Sequence, residues 1–474
     1  MSWYDKIFEN VAVKIASYMQ DDLGRSNGIL ASYYDGNHVP QLKDKNGQND
    51  NIITNHIGVN VNRSVSRLLR GGVEFVLPEG SEKEHEYIDK VWELNKKQIL
   101  LIQLGLYGAV FGTAYFKIVP DKINDPVTTE QDLFPRLVPL YPDIVRMRTA
   151  PDDVDTIIMY RIEWHNAEDT REIVYREDTV RQEDDTWVVE NWIKEGGSAW
   201  QLVDSTVWPY DFAPIAHAKN LPSLNTCYGM DEESDAVNTQ NKYNLSMSNT
   251  GKVIKHHAHP RTIFKGVGKS QIEKLDDSPD SALVIPNADA EVFNLEMQSD
   301  LASSRGFAND LQKNMATIMR EIDMSSLEAN VGNLTNFGIR VLYTDAIDKN
   351  DTKRLLYGDM LREVNRRLLV LAGMNQDAGE VQWGEAMIVS IDEEIAADKL
   401  ALDMGIVDVQ TVAERSIYQK RYGMEWEDIQ ERLQESKDER TEDRTEDRTE
   451  VRAEGDGRQG DTKSELPISL DPRV

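Results

Sequence analysis

The stretch DEESDAVNTQNKYNLSMSNTGKVIK, residues 231–255, reads as a long polar helix, and MQSDLASSRGFANDLQKNMATIMREIDM, residues 297–324, reads as a second long helix. Between them Pro260 to Leu295 form a compact insert rich in strand formers. The outgoing helix follows Gly229, with Asp231, Glu232 and Glu233 placed where the N-terminal dipole and free N–H groups favour negative charge. About 25 residues make a rod on the order of 37 Å long. Its apolar residues are few: Val237, Tyr243, Leu245, Met247, Val253 and Ile254. The returning helix carries Leu301, Ser304, Ala308, Leu311, Met315, Ile318 and Ile322 at alternating three- and four-residue steps, the seam of helix-on-helix packing. Burial along one narrow side is small beside the entropy of ordering such a hairpin. A hairpin on the surface of a monomer needs cover from its own chain that the sequence does not obviously supply. A wall of many copies, each hairpin packed between its neighbours, is the favoured reading.

The rest of the chain is long enough, at 474 residues, for two to four domains with real cores, and a hydrophobic content of 40% with nine tryptophans excludes global disorder. A single cysteine, Cys227, excludes an intramolecular disulfide framework and fits a reducing compartment. The N-terminus has no basic-then-apolar signal pattern, so secretion is not expected. Ile99 to Phe116 is the one candidate membrane span, but Gly105, Gly108 and Gly112 interrupt it. It reads as a buried helix stopping near Gly112 and a following strand, each too short to span, and a soluble protein is expected. The formal charge is −30. Tight nucleic-acid binders are basic, because their affinity comes from phosphate neutralisation. This chain is not expected to grip DNA, and its balance suits a solvated surface or a conduit through which a polyanion slides without sticking.

In chain order, helices are predicted over Trp3–Tyr18, before a left-handed cap at Gly36, over Asn55–Arg70 with a stop at Gly71 and Gly72, and over Glu82–Leu94. Val73–Leu77 starts a strand. From Thr113 to His217 the pattern turns to β, with strands over Thr113–Val119, Arg136–Pro139, Thr156–Trp164, Glu172–Arg176, Trp187–Glu190 and Gln201–Val207 in one mostly antiparallel, meander-like sheet. Ser325–Asn336 is a loop, Gly338–Ala372 a third long helix ended at Gly373, and further helices are predicted over Asp392–Met404, Asp408–Tyr422 and Glu425–Gln434. Residues 437–474, with their Glu/Arg/Thr/Asp repeat, read as a disordered charged tail.

Two motifs invite chemistry. Gly266-Val267-Gly268-Lys269-Ser270 looks like a phosphate-cradling loop, but the position where the full pattern needs its first glycine is Ile263. A glycine-rich turn with an exposed lysine is the simpler reading. His256, His257 and His259 crowd like metal ligands, yet histidine at a helix end also meets the terminal carbonyls favourably, and no Asp, Glu or Cys stands at a standard ligand spacing. No nucleophile–base pair can be assigned. A nucleotide- or metal-dependent enzyme built on Lys269 or these histidines is the alternative reading; no catalytic residue, metal or cofactor is assigned.

The segment Asp211-Phe212-Ala213-Pro214-Ile215-Ala216-His217, continuing through Gly229-Met230-Asp231 to Asp235-Ala236-Val237-Asn238-Thr239-Gln240-Asn241-Lys242-Tyr243-Asn244-Leu245-Ser246, resembles the portal proteins, or head-to-tail connectors, of tailed bacteriophages. Tyr33-Tyr34-Asp35-Gly36, the helix closed by Arg70-Gly71-Gly72, the Gly105–Phe116 passage and the order helix, insert, helix, loop, long helix are similar too, over roughly residues 27 to 435. The resemblance implies an α+β, portal-like fold: a mostly antiparallel wing sheet with long helices (1–228 and 338–391), a two-helix stem (229–256 and 297–324), a small α/β clip (257–296), a tunnel loop (325–337) and a helical crown (392–436). It implies a dodecameric ring at one capsid vertex of the virion, assembled in the host cytoplasm. Its partners would be a terminase motor, a head–tail adaptor, the major capsid and scaffold proteins, and double-stranded DNA in transit, weakly bound; no membrane and no catalysis are implied. Ser326, Glu328, Asn330, Asn333, Thr335 and Asn336 would face the DNA from the tunnel loop, and Lys252, Lys255, Lys265 and Lys269 would be sparse basic points of the lower channel and clip.

Overall fold

A computed structural model describes residues 27–38, 51–124, 133–165, 173–258, 262–266, 291–294, 301–322, 341–384, 391–408 and 411–412. The expected N-terminal helix, the last two helices beyond their first residues and the charged tail lie outside these residues. The chain divides into two units, Met1–Met387 and Ile388–Val474.

In the first unit residues 27–34 are helical, and Gly36 takes φ 81° as the expected left-handed cap. Helix α1 (His56–Leu68) is capped by Asn55, whose Oδ1 accepts from the Gly58 N–H at 2.9 Å, and stops ahead of Gly71 and Gly72, both at positive φ. Strand β1 (Val73–Val76) and helices α2 (Glu82–Leu94) and α3 (Lys97–Phe111) follow. The glycine stop foreseen after α3 is real: Gly112 sits at φ 82°. No helix among the described residues is long and apolar enough to cross a membrane.

The single sheet expected between Thr113 and His217 is two. Strand β2 (Thr113–Asn124) is the centre of a three-stranded antiparallel sheet between β3 (Leu133–Leu140) and β9 (Ile215–Lys219). Strands β4 (Val145–Thr149), β5 (Ile157–His165), β6 (Ile173–Arg181), β7 (Trp187–Glu195) and β8 (Gln201–Trp208) form a five-stranded meander. The break falls at a 3₁₀ turn, Pro142–Ile144, where the proline cannot donate to a ladder. Strand β6 runs past the expected end at Arg176 through Glu177 and Asp178, charges that an apolar pattern rejects. Arg161 grips Asp178 through two bonds of 2.7 and 3.0 Å, and Lys117 pairs with Glu177. The two sheets close on a core of Tyr115, Val145, Ile162, Trp187 and Ile215.

Helix α4 (Val237–Ala258) and helix α5 (Ala302–Ile318) form the hairpin, with β10 (Thr262–Lys265) and β11 (Glu291–Asn294) paired antiparallel in the insert between them. Helix α6 (Thr344–Leu371) then returns across the molecule and ends at Gly373, φ 68°, as the pattern required. Its Met360, Leu361, Val364 and Leu368 pack with Leu68, Phe75, Trp92, Leu104 and Phe116 in the largest core, and Trp92 donates to Asn365 at 2.8 Å. Strand β12 (Glu380–Trp383) returns to pair antiparallel with β1. In the second unit helix α7 (Ile391–Asp403) is followed by Gly405 at φ 68°.

Candidate functional site

The hairpin departs from its sequence reading at both roots. Asp231 does not open the helix. Its Oδ1 accepts from the N–H groups of Glu233 and Ser234 at 2.9 and 2.6 Å and holds a 3₁₀ turn, Ser234–Ala236, and the α-helix starts only at Val237. Helix α5 ends at Ile318, short of Met324, because Arg320 takes φ 51° and the Glu321 N–H bonds back to the Ala316 carbonyl at 2.7 Å, a Schellman closure without glycine.

Where α4 and α5 touch, Tyr243 and Met247 meet Ala308, Leu311 and Met315, so much of the predicted seam is real. Its end is not: Ile318 is 43% exposed, and Met319 turns inward instead. Phe307, on the outer side of α5, is 54% exposed.

A second side of α4 is covered by its own chain. Gln240, Asn244 and Ser248 recur every four residues and serve the backbone of an extended strap, residues 51–55. Gln240 Oε1 accepts from the His56 N–H and its amide donates to the Thr54 carbonyl; Asn244 Oδ1 accepts from the Thr54 N–H; Ser248 Oγ accepts from the Ile52 N–H at 2.8 Å. Asn244 also donates to His38 Nδ1 at 2.8 Å, while His38 Nε2 faces the Tyr33 carbonyl at 3.1 Å. A carbonyl only accepts, which fixes the proton on Nε2 and leaves Nδ1 as the acceptor. Burial lowers the pKa of this ring and keeps it neutral. The polarity of α4 is, on this side, a hydrogen-bonding face.

The roots of both helices meet α6 in a buried ionic chain. Lys349 Nζ lies 2.9 Å from Glu232, 2.7 Å from Glu321 and 2.8 Å from the Met319 carbonyl. Lys353 Nζ lies 2.5 Å from the other oxygen of Glu232, and Arg67 of α1 grips Glu321 through bonds of 3.0 and 2.7 Å. Asn220 donates to Glu232 at 3.2 Å and accepts from Tyr357. Burial would raise the Glu232 carboxyl, but Lys353 and Lys349 outweigh it and hold the group well below the usual carboxylate range. Burial lowers Lys353 against the opposing pull of Glu232. Sequence reasoning missed Lys349, Lys353, Glu321 and Arg67 entirely and read Glu232 as a helix-end charge. The one available signal was a lysine pair four residues apart on a helix that also had to be core.

Among the residues singled out in the sequence, Lys265 is exposed and paired across the β10–β11 ladder with Glu291 at 2.9 Å, a contact worth about 0–1 kcal/mol. Lys252 is half-buried and Lys255 exposed, and neither lacks a partner. Each of these three lysines thus has a partner. His256 and His257 fall in the last turn of α4, and Gly266 takes φ 77° in a turn. Lys269, the remainder of that glycine turn, His259 and all six loop residues, Ser326, Glu328, Asn330, Asn333, Thr335 and Asn336, lie outside the described residues. Among the described residues no group of His, Cys, Asp and Glu is arranged to hold a metal ion. Helix α4 carries three lysines and not one acidic residue, in a chain of net charge −30.

Comparison with known proteins gives a family and distant structural likenesses. A family model described as "Phage portal protein, SPP1 Gp6-like" matches residues 27–442. No curated protein matches the chain. A solved structure described as the neck of a native GTA particle, computed with C12 symmetry, is similar at 12% identity and a TM-score of 0.43, covering 75% of this chain and 89% of that one.

Proposed function

Because the chain belongs to the SPP1 Gp6-like phage portal protein family, which is structural and not enzymatic, we propose that it assembles into a dodecameric ring at one capsid vertex and forms the conduit for double-stranded DNA. In this reading the ring docks a terminase motor during packaging and a head–tail adaptor afterwards, meets the major capsid and scaffold proteins around its rim, and assembles in the host cytoplasm before residing in the virion. Helices α4 and α5 are the stem, the insert is the clip, residues 325–337 are the tunnel loop, the sheets with α6 are the wing, and residues 392–436 are the crown. The loop positions Ser326, Glu328, Asn330, Asn333, Thr335 and Asn336 face the duplex, and Lys269 adds a basic point at the clip.

The observation that carries the assembly is the outer side of α5. The strap and α5 pack on two sides of α4, which keeps Ile254 exposed near its end, while α5 keeps Phe307 and Ile318 exposed along a helix whose other outward residues are small or polar. Apolar surface left open on a rod calls for a neighbour, and a repeated head-to-tail contact closes into a ring. The acid-free α4 supports passage of a polyanion, since few carboxylates on the stem means little repulsion along that rod.

Native mass spectrometry and negative-stain images of the purified chain at micromolar concentration test the reading. Rings with a central hole are expected. A persistent monomer, or particles without a hole, would overturn it. Shortening Ser325–Asn336 should spare the ring and abolish packaging; a deletion that dissolves the ring instead would make that loop structural.

A further inference from the structure

Glu233 is fully buried, at 0% exposure, and neither of its carboxyl oxygens has a hydrogen-bond partner. It sits in the turn that launches α4, one residue from Glu232, with its backbone carbonyl accepting from the Ala236 N–H at 2.9 Å. Ala236 in turn is part of an apolar cluster with Leu30, Tyr33, Ile57, Val61, Ala109 and Met319. A carboxylate without partners in such a place costs several kcal/mol, roughly, and a group so placed keeps its proton instead.

The charges around it are all of one sign. Asp231, Glu232 and Asp35 face it, and the Tyr34 hydroxyl is close enough to feel it. Lys349 and Lys353, the cations that pair with the adjacent Glu232, make no ion pair with Glu233. Asp231 spends its Oδ1 on the turn's own N–H groups. Nothing among the described residues can neutralise Glu233 once it ionises.

We propose that Glu233 is a proton-held latch at the root of the hairpin: as a neutral acid it packs inside the turn, and its ionisation forces the 232–236 turn to open and frees the base of α4. Burial, then Asp231, Glu232 and Asp35, push its carboxyl up to about 9. A group whose folded pKa is raised gives stability that is fully present below the ordinary carboxylate pKa and is lost as pH rises toward the folded value. The window runs from about 4.5 to about 9. Within it the opening equilibrium rises by up to about tenfold per pH unit. The latch belongs to the single chain and does not depend on ring formation.

The test uses the full-length protein. Infrared difference spectra between pH 6 and pH 10.5 should show a protonated-carboxyl band disappearing with a midpoint near 9 in the wild type and missing from Glu233→Gln. Hydrogen exchange of residues 232–245, corrected for the chemical rate, should accelerate from pH 6 to about pH 9 and level off above it in the wild type, and stay flat in Glu233→Gln. A band that still disappears near pH 9 in Glu233→Gln, the absence of such a band in the wild type, or equal acceleration in both proteins would overturn the proposal. Should the variant fail to fold, the wild-type spectrum decides alone: no carboxyl proton released in that range means no latch.

Discussion

Adjacent glutamates, Glu232 and Glu233, are driven in opposite directions by what α6 supplies to one and withholds from the other. Removing one partner of a buried pair leaves its mate charged and uncompensated, which costs about 3–5 kcal/mol. Lys353→Met leaves Glu232 with Lys349 and Asn220, so it should lower the stability of the chain by less than that amount in urea denaturation, and Glu232→Gln combined with Lys353→Met should recover most of the loss. The depressed carboxyl of Glu232 adds a second expectation. Its stabilisation is present above the ordinary carboxylate pKa and is lost as pH falls through and below that value, so the melting temperature should drop between about pH 5 and pH 3, and Glu232→Gln should flatten that limb. None of this was legible in the sequence. Glu232 and Lys353 are 121 positions apart, and a local reading gives each its commonest role, a helix-end acid and a surface lysine. By contrast the glycine stops at Gly36, Gly112 and Gly373 were legible, because glycine is the residue that takes a left-handed backbone most readily.

Elements were readable in kind and less so in extent. Hydrophobic period gave α1, α2 and α3, the hairpin and α6, and it gave six of the seven predicted strands close to their starts. It failed where polar residues close an element, as at Asp231 and Arg320, and where buried ion pairs carry a strand onward, as at Glu177 and Asp178. The strap over α4 shows the same limit: Gln240, Asn244 and Ser248 look solvated in sequence and are joinery in the fold. Asn244→Leu would leave His38 Nδ1 and the Thr54 N–H without their partner, at about 1–3 kcal/mol for each group that water cannot reach, and would take one of two acceptors from the Gln240 amide. Hydrogen exchange should then show residues 51–56 losing protection first while the core around Trp92 keeps it. Equal loss in both regions would mean that the strap is no independent unit.

At the scale of the whole molecule, the order of helix, insert, helix and long helix pointed to the family before any coordinate was needed. What it could not convey is how the hairpin is divided between cover from its own chain and surface left for a neighbour. Phe307→Asp together with Ile318→Asp should leave circular dichroism and the monomer's melting unchanged and abolish rings in native mass spectrometry. Rings that survive both charges would place the contact elsewhere.

Helix α6 is pinned along its length by side chains that end on other elements: Lys349 and Lys353 on the hairpin roots, Arg354 on the carbonyls of Leu68 and Arg70, Asn365 on Trp92, and Arg367 on the carbonyls of Ala213 and Ile215. A rod fastened at so many stations neither bows nor slides under small loads. Lys349 and Arg367 are separated by about 27 Å of helix axis. The hairpin's foot and the neighbourhood of β9 are therefore fastened to one rod, which sets the distance between them.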